Sequence, residues 1–155
     1  MTTGMQLDRT LHAVLETFVE RGYPPHYTEL AARFGVGPED GKKLVQDLAA
    51  TGLPVWLYPG TDLIASCAPF NAQPTQYRLS VDGRAGWFGQ CGFESLAACW
   101  AFPGKALEID SPCLDCGEPL RVVVRDGVIE HKEPEGIVAY VDLPLREWAK
   151  DWPFT

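Results

Sequence analysis

Apolar positions follow a helical period in the first third of the chain and a strand period further on. Leu7, Leu11, Val14, Leu15, Phe18 and Val19 share one helical face, and Gly22 with Pro24-Pro25 ends the run. This predicts an amphipathic helix over residues 7–22. Thr28 to Phe34 predicts a short second helix with Thr28 as its N-cap, followed by a turn at Gly35-Val36-Gly37-Pro38. Pro38 in a first turn, with Leu44, Val45 and Leu48 on one face, predicts a third helix over 38–51, stopped by Gly52. Val55–Tyr58 and Leu63–Ala65 read as short strands. Three helices with a tight turn before the third, then two strands, predict a winged-helix-like subdomain over residues 1–65.

From residue 66 the pattern changes. Gln76–Val81 alternates like a strand and Asp82-Gly83 is a turn signal. Cys91 to Phe102 reads as a helix closed by Pro103-Gly104. Ala106–Ile109, Leu120–Arg125 and Gly136–Leu143 read as strands, with a hairpin turn at Asp126-Gly127. The expected class is α+β: a winged-helix-like three-helix subdomain, then a small antiparallel or mixed sheet with an embedded helix over residues 66–155.

Composition narrows the function classes. Of 155 residues 46% are hydrophobic, with five Trp and seven Phe, enough for a packed core. The formal net charge of −8 disfavours charge-driven binding to nucleic acid or anionic membranes. The third helix carries Lys42 and Lys43 against Glu39, Asp40 and Asp47, which suits a packing module better than a DNA reader. No apolar run approaches ~20 residues, so no membrane span is expected. The start, Met1 to Asp8, lacks a basic stretch followed by an apolar one, so no signal peptide and a cytoplasmic location are expected. The five cysteines, Cys67, Cys91, Cys99, Cys113 and Cys116, are odd in number, which favours free thiols or metal ligands over a disulfide framework.

Two clusters carry candidate chemistry. In Trp87-Phe-Gly-Gln-Cys91-Gly-Phe-Glu94, a cysteine at a helix start precedes a carboxylate one turn on. The helix N-terminus would lower the Cys91 thiol pKa, and the sulfur's charge would push Glu94 toward its protonated form, making it a proton donor. The same pair equally suits a buried structural cysteine followed by a first-turn glutamate. In Cys113-Leu-Asp-Cys116-Gly117, the Cys-x-x-Cys-Gly spacing is that of a metal knuckle. No second Cys-x-x-Cys completes a zinc site, although His131, Cys91 or Cys99 could contribute. Two or three thiolates would suit a soft metal ion. Cys67 and Cys99 read as structural.

The run from Val81-Asp-Gly-Arg84 through Trp87–Glu94 to Cys113 resembles the alkylmercury (organomercurial) lyase family. Gly117 and Pro119, Glu133-Pro134-x-Gly136 and Leu143-Pro144 extend the resemblance. It implies a winged-helix-like part followed by a mixed helix–sheet core. It also implies carbon–mercury cleavage by two cysteine thiolates and a carboxyl group, with no cofactor needed for lysis and an external thiol accepting the ion. Cys91 would be the first thiolate, Glu94 the acid, and Cys113 a cysteine usually read as structural. There are two departures. Glu94 stands where the family has Asp, and the extra methylene displaces the carboxyl by more than ~1 Å, enough to impair a positioned proton transfer. In the register of the family's second catalytic cysteine, Phe154 is followed by Thr155, which cannot act as a thiolate.

The resemblance therefore leads to an alkylmercury-lyase-like protein that holds an organomercurial or soft metal ion (Hg, Zn or Cu) through Cys91, with Cys113 or Cys116 as substitute thiols. The alternative is a non-catalytic module in which Cys113 and Cys116 hold Zn(II) or Cu(I).

Overall fold

Thr3 opens the first helix, its hydroxyl accepting from the Gln6 amide, and α1 runs Gly4–Arg21 until Gly22 turns left-handed at φ 84°. The computed structural model describes residues 3–140 together with 144 and 147. α2 spans Tyr27–Phe34 and α3 spans Pro38–Ala49. The cap of α2 is His26 rather than Thr28. The His26 ring accepts from the Thr28 amide while Glu29 reaches back to the His26 amide, a reciprocal arrangement that sequence patterns built on Ser and Thr do not flag. Strands β1 (Val55–Leu57) and β2 (Ile64–Cys67) pair antiparallel.

The chain divides into two compact units, Met1–Ala68 and Pro69–Thr155. The first is centred on Val14, Phe18, Leu30, Val45 and Leu48, all at most 1% exposed. Helices α2 and α3 approach closely at Gly41, where a Cβ would fall 2.8 Å from that of Ala31.

The second unit is one sheet with a short helix. Its strands are β3 (Phe70–Asn71), β4 (Arg78–Val81), β5 (Arg84–Gly89), β6 (Leu107–Pro112), β7 (Pro119–Arg125) and β8 (Val128–Glu133). Their spatial order is β3-β5-β4-β6-β7-β8, every neighbouring pair antiparallel. The fold class is α+β. Both Asp-Gly turns adopt left-handed geometry at their central residues, with φ 49° and 77° at Asp82-Gly83 and φ 48° and 81° at Asp126-Gly127. That is the geometry a two-residue hairpin requires. Arg78 of β4 lies opposite Phe88 of β5 and Asp110 of β6. β5 and β6 therefore run in the same direction on either side of β4, and both leave the sheet at the end where β4 begins.

Helix α4 (Gly92–Ala97) continues into a 3-10 turn, Ala98–Ala101. Beyond it Phe102 packs edge-on against Trp87 and Phe70, with ring centroids 4.9 and 6.1 Å away. Leu79, Leu107, Ile109 and Val124 complete the core of this unit. The end of the turn is tied to the β7–β8 hairpin: Gly104 N–H donates to Asp126 at 2.8 Å and Arg125 donates to the Gly104 carbonyl at 2.7 Å. The Trp100 ring lies against Gly127, leaving no room for a Cβ there.

One sequence expectation is corrected and one strand is added. The strand expected over Gly136–Leu143 is absent from 136–140, and 141–143 lie outside the described residues. Pro134 has no N–H to extend the ladder past Glu133. The strand that does follow β7 is β8, whose Val-Ile-Glu-His-Lys-Glu run is almost wholly exposed and shows no buried period. Phe102→Ala, which empties the centre of the aromatic cluster, is expected to destabilise the protein by about 3–5 kcal/mol in denaturant unfolding.

Candidate functional site

Cys91 turns the chain out of β5 and into α4. Its backbone is extended (φ −149°, ψ 175°), so it is the cap rather than the first residue of the helix. Its sulfur accepts from the Glu94 amide at 3.5 Å. Ser95 donates to the Cys91 carbonyl through both its amide, at 2.8 Å, and its hydroxyl, at 2.6 Å. These bonds hold Cys91 in one place, and only 3% of the residue is exposed.

Burial decides the electrostatics. The Cys91 thiol is pushed up to about 11, first by desolvation and further by the Glu94 carboxylate, against the pull of the Glu94 and Phe93 amides. This reverses the lowered thiol expected from a helix start. A helix of six residues supplies two N–H donors to the sulfur, and they do not offset the loss of water. The Glu94 carboxyl is also raised, with burial the first cause, while the hydrogen bond with the Cys91 side chain pulls the other way. The expected direction is found with a different cause: near neutrality the thiol is an S–H donor to Glu94, not a negative charge beside it.

Tyr77, which sequence reasoning missed, completes this corner. A Cβ on Gly92 would stand 3.4 Å from the Tyr77 ring, and the Gly92 amide donates to its hydroxyl. Burial, foremost, and the nearby Cys91 raise the phenol pKa. Alternation in Gln76–Val81 places Tyr77 on a strand, but its position beside the cap comes from the β4–β5 pairing, which spacing does not reveal. Gly89 allows this approach, since a side chain there would run into Ser95 and Tyr77.

Cys113 and Cys116 sit in the connection between β6 and β7. The loop is closed by Cys113 N–H to the Glu118 carbonyl at 2.8 Å and Gly117 N–H to the Cys113 carbonyl at 2.9 Å, with Gly117 at φ 77°. The Cys113 thiol is lowered by the Cys116 and Asp115 amides, in that order, and then by the Cys116 side chain. Cys113 is half-buried and Cys116 exposed.

Cys91 lies three residues past Phe88, and Cys113 three past Asp110, the two residues that flank Arg78. Both cysteines thus leave the same end of the sheet, with β4 between their strands, a separation of roughly 10 Å at the level of the ladder. An open pocket of about 420 Å³ lies at this end, lined in part by Thr75, Gln76, Arg78, Asp110, Pro112 and Gly117. Among the described residues no three His, Cys, Asp or Glu side chains gather into a group that could hold a metal ion. Cys91, Cys113 and Cys116, expected as metal ligands, therefore do not form one three-ligand centre. His131 is an exposed residue of β8, with Glu133 at 3.9 Å. Cys67 and Cys99 are buried, at 0% and 1% exposure. No helix among the described residues is long and apolar enough to cross a membrane.

The fold that carries this capping cysteine and half-buried carboxyl is similar to that of a known structure. The crystal structure of the mercury-bound form of MerB2 matches with a TM-score of 0.64 at 18% sequence identity, covering 86% of this chain and 62% of that one. The chain thus spans less than two thirds of that protein's length. No curated protein matches it. The alkylmercury lyase (MerB) family model matches residues 70–153, more than half of the sequence, and the chain belongs to that family.

Two outcomes follow from the protonation states. Iodoacetamide at pH 7.5 should label Cys113, whose thiol pKa is lowered, and Cys116, which is exposed, well before the buried Cys91, with Cys91 labelling rising about tenfold per pH unit toward pH 11. Peptide mapping reads the order, and early labelling of Cys91 would contradict its burial. Glu94 has a folded pKa above its ordinary 4.5, so the unfolded state ionises first and the protein loses stability as pH rises through that window. Glu94→Gln should therefore melt higher than the unaltered protein at pH 7, with the difference closing below pH 4.5.

Proposed function

We propose that this chain binds an organomercurial through Cys91 and cleaves its carbon–mercury bond by protonolysis, with Glu94 carrying the proton. One observation carries the reading: a buried thiol hydrogen-bonded to a carboxyl group that burial biases toward its protonated form. A thiol with a pKa near 11 does not wait as a thiolate. It gives up its proton as the sulfur–mercury bond forms, and Glu94 is the adjacent acceptor. The same carboxyl then delivers that proton to the mercury-bound carbon. The carbon–mercury bond breaks, the organic group leaves as a hydrocarbon, and the mercury remains on Cys91 until an external thiol takes it. No cofactor enters this sequence. Tyr77, beside Cys91 and bonded to the Gly92 amide, keeps the cap in register.

Family membership supports the substrate class, and the walls of the corner support a dry reaction. Exclusion of water strengthens the proton relay, since the proton that the Glu94 carboxylate takes from the thiol is held beside the sulfur rather than lost to solvent. The first unit serves as a winged-helix-like scaffold rather than a nucleic-acid reader in this proposal. Both lysines of α3 are already paired, Lys42 with Glu39 at 2.8 Å and Lys43 with Asp47 at 3.0 Å.

Headspace measurement of benzene from phenylmercury with excess external thiol tests the reading. Cys91→Ser should abolish release and Glu94→Gln should reduce it roughly a hundredfold or more. Glu94→Asp, which restores the family's shorter acid, should release benzene faster than the unaltered protein. Benzene release that survives Cys91→Ser would refute the assignment.

A further inference from the structure

The Cys113–Cys116 pair lies outside the Cys91–Glu94 corner and has no part in the reaction above. Its loop is nevertheless built around a sulfur. The backbone amides of Cys116 and Asp115, and then the Cys116 side chain, lie near enough to the Cys113 sulfur to lower its pKa. Pro112 and Pro119 face each other where the β6–β7 ladder ends, and two backbone hydrogen bonds close the loop beyond them. Cys113 is half-buried in this loop and Cys116 is exposed beside it.

We propose that Cys113 and Cys116 form a two-thiolate site for a soft d10 cation, Hg(II) or Cu(I), separate from Cys91. The ligand count selects the ion. Structural zinc takes four ligands, and among the described residues no third His, Cys, Asp or Glu side chain joins the pair. Soft ions that accept two sulfurs in a near-linear arrangement need no more. Metal–sulfur bonds of ~2.3 Å put the two sulfurs about 4.6 Å apart, a spacing that the staggered χ1 rotamers of the two side chains would set. Each S–H that binds releases its proton to solvent, and no electron changes hands. The Cys116 and Asp115 amides near the Cys113 sulfur would remain as supports for the bound thiolate, the arrangement that tunes metal–sulfur sites generally. The pocket bordered by Pro112 and Gly117 leaves room beside the loop for a thiol-bearing carrier. This site goes beyond the Cys91–Glu94 reading and holds whether or not a carbon–mercury bond is cut there.

Hg(II) titration of reduced, oxygen-free protein carrying Cys91→Ser, in the presence of a competing monothiol, tests it through the thiolate-to-metal charge-transfer band. One equivalent should saturate the band, and excess Zn(II) should fail to displace it. Adding Cys116→Ser, a change at an exposed position, should weaken binding roughly a hundredfold or more, since it removes the chelate. If Cys91→Ser does not fold, protection mapping on the unaltered protein replaces it: one equivalent of Hg(II) should shield Cys113 and Cys116 together from iodoacetamide. Unchanged affinity in Cys116→Ser, displacement by Zn(II), or protection of one or neither of the two cysteines would overturn the proposal. Benzene release from phenylmercury should be unaffected by Cys116→Ser, so failure of this site and failure of the Cys91 reading give different results.

Discussion

Strand β4 is the constraint on which the candidate chemistry depends. It is paired on both edges, to β5 and to β6, and its first residue sets the level at which both neighbours leave the sheet. Cys91 follows one of those exits and Cys113 the other. Because the two strands are parallel to each other and separated by β4, the ladder places both thiols at one end while keeping them roughly two strand spacings apart. Tyr77, with Thr75 and Gln76 of the pocket, comes from the residues that lead into β4, and Asp110, Pro112 and Gly117 of the pocket come from β6 and the loop after it.

That separation divides the sulfur chemistry between two environments. At Cys91 water is excluded, the thiol stays protonated, and an adjacent carboxyl is biased to share the proton. At Cys113 the sulfur is reached by solvent and stabilised as a thiolate by backbone amides. In both places nearby backbone N–H groups pull the thiol pKa down. Desolvation outweighs them in one place and not in the other, so similar local hydrogen bonding gives opposite acidities.

Much of the fold was legible in the chain. Helical periodicity located α1, α2 and α3 within a few residues, and the two Asp-Gly pairs located their hairpins because their geometry needs left-handed residues. Cys91, followed one turn later by Glu94, marked the start of α4. Illegible was whatever depends on neighbours distant in sequence. Burial of Cys91 comes from the layers around it, so its acidity could not be inferred from a helix start. The role of Tyr77 arises from the β4–β5 pairing. The exposed β8 has no apolar alternation to betray it, whereas Gly136–Tyr140 is apolar enough to suggest a strand that Pro134 interrupts.

The pairing of β4 with β6 also carries a kinetic consequence. Hairpins β4–β5 and β7–β8 close over two-residue turns, but β4 meets β6 only after the whole segment carrying Cys91, α4 and the 3-10 turn has been looped out. Closing a long loop costs entropy before its contacts repay it, which makes that step slow relative to hairpin zippering. A chain halted before it would hold native hairpins and a ready Cys113–Cys116 loop, yet its aromatic cluster would be open and Cys91 still wetted by solvent. During synthesis and refolding, then, the acidity of Cys91 is a clock: the thiol pKa rises only when the sheet is finished.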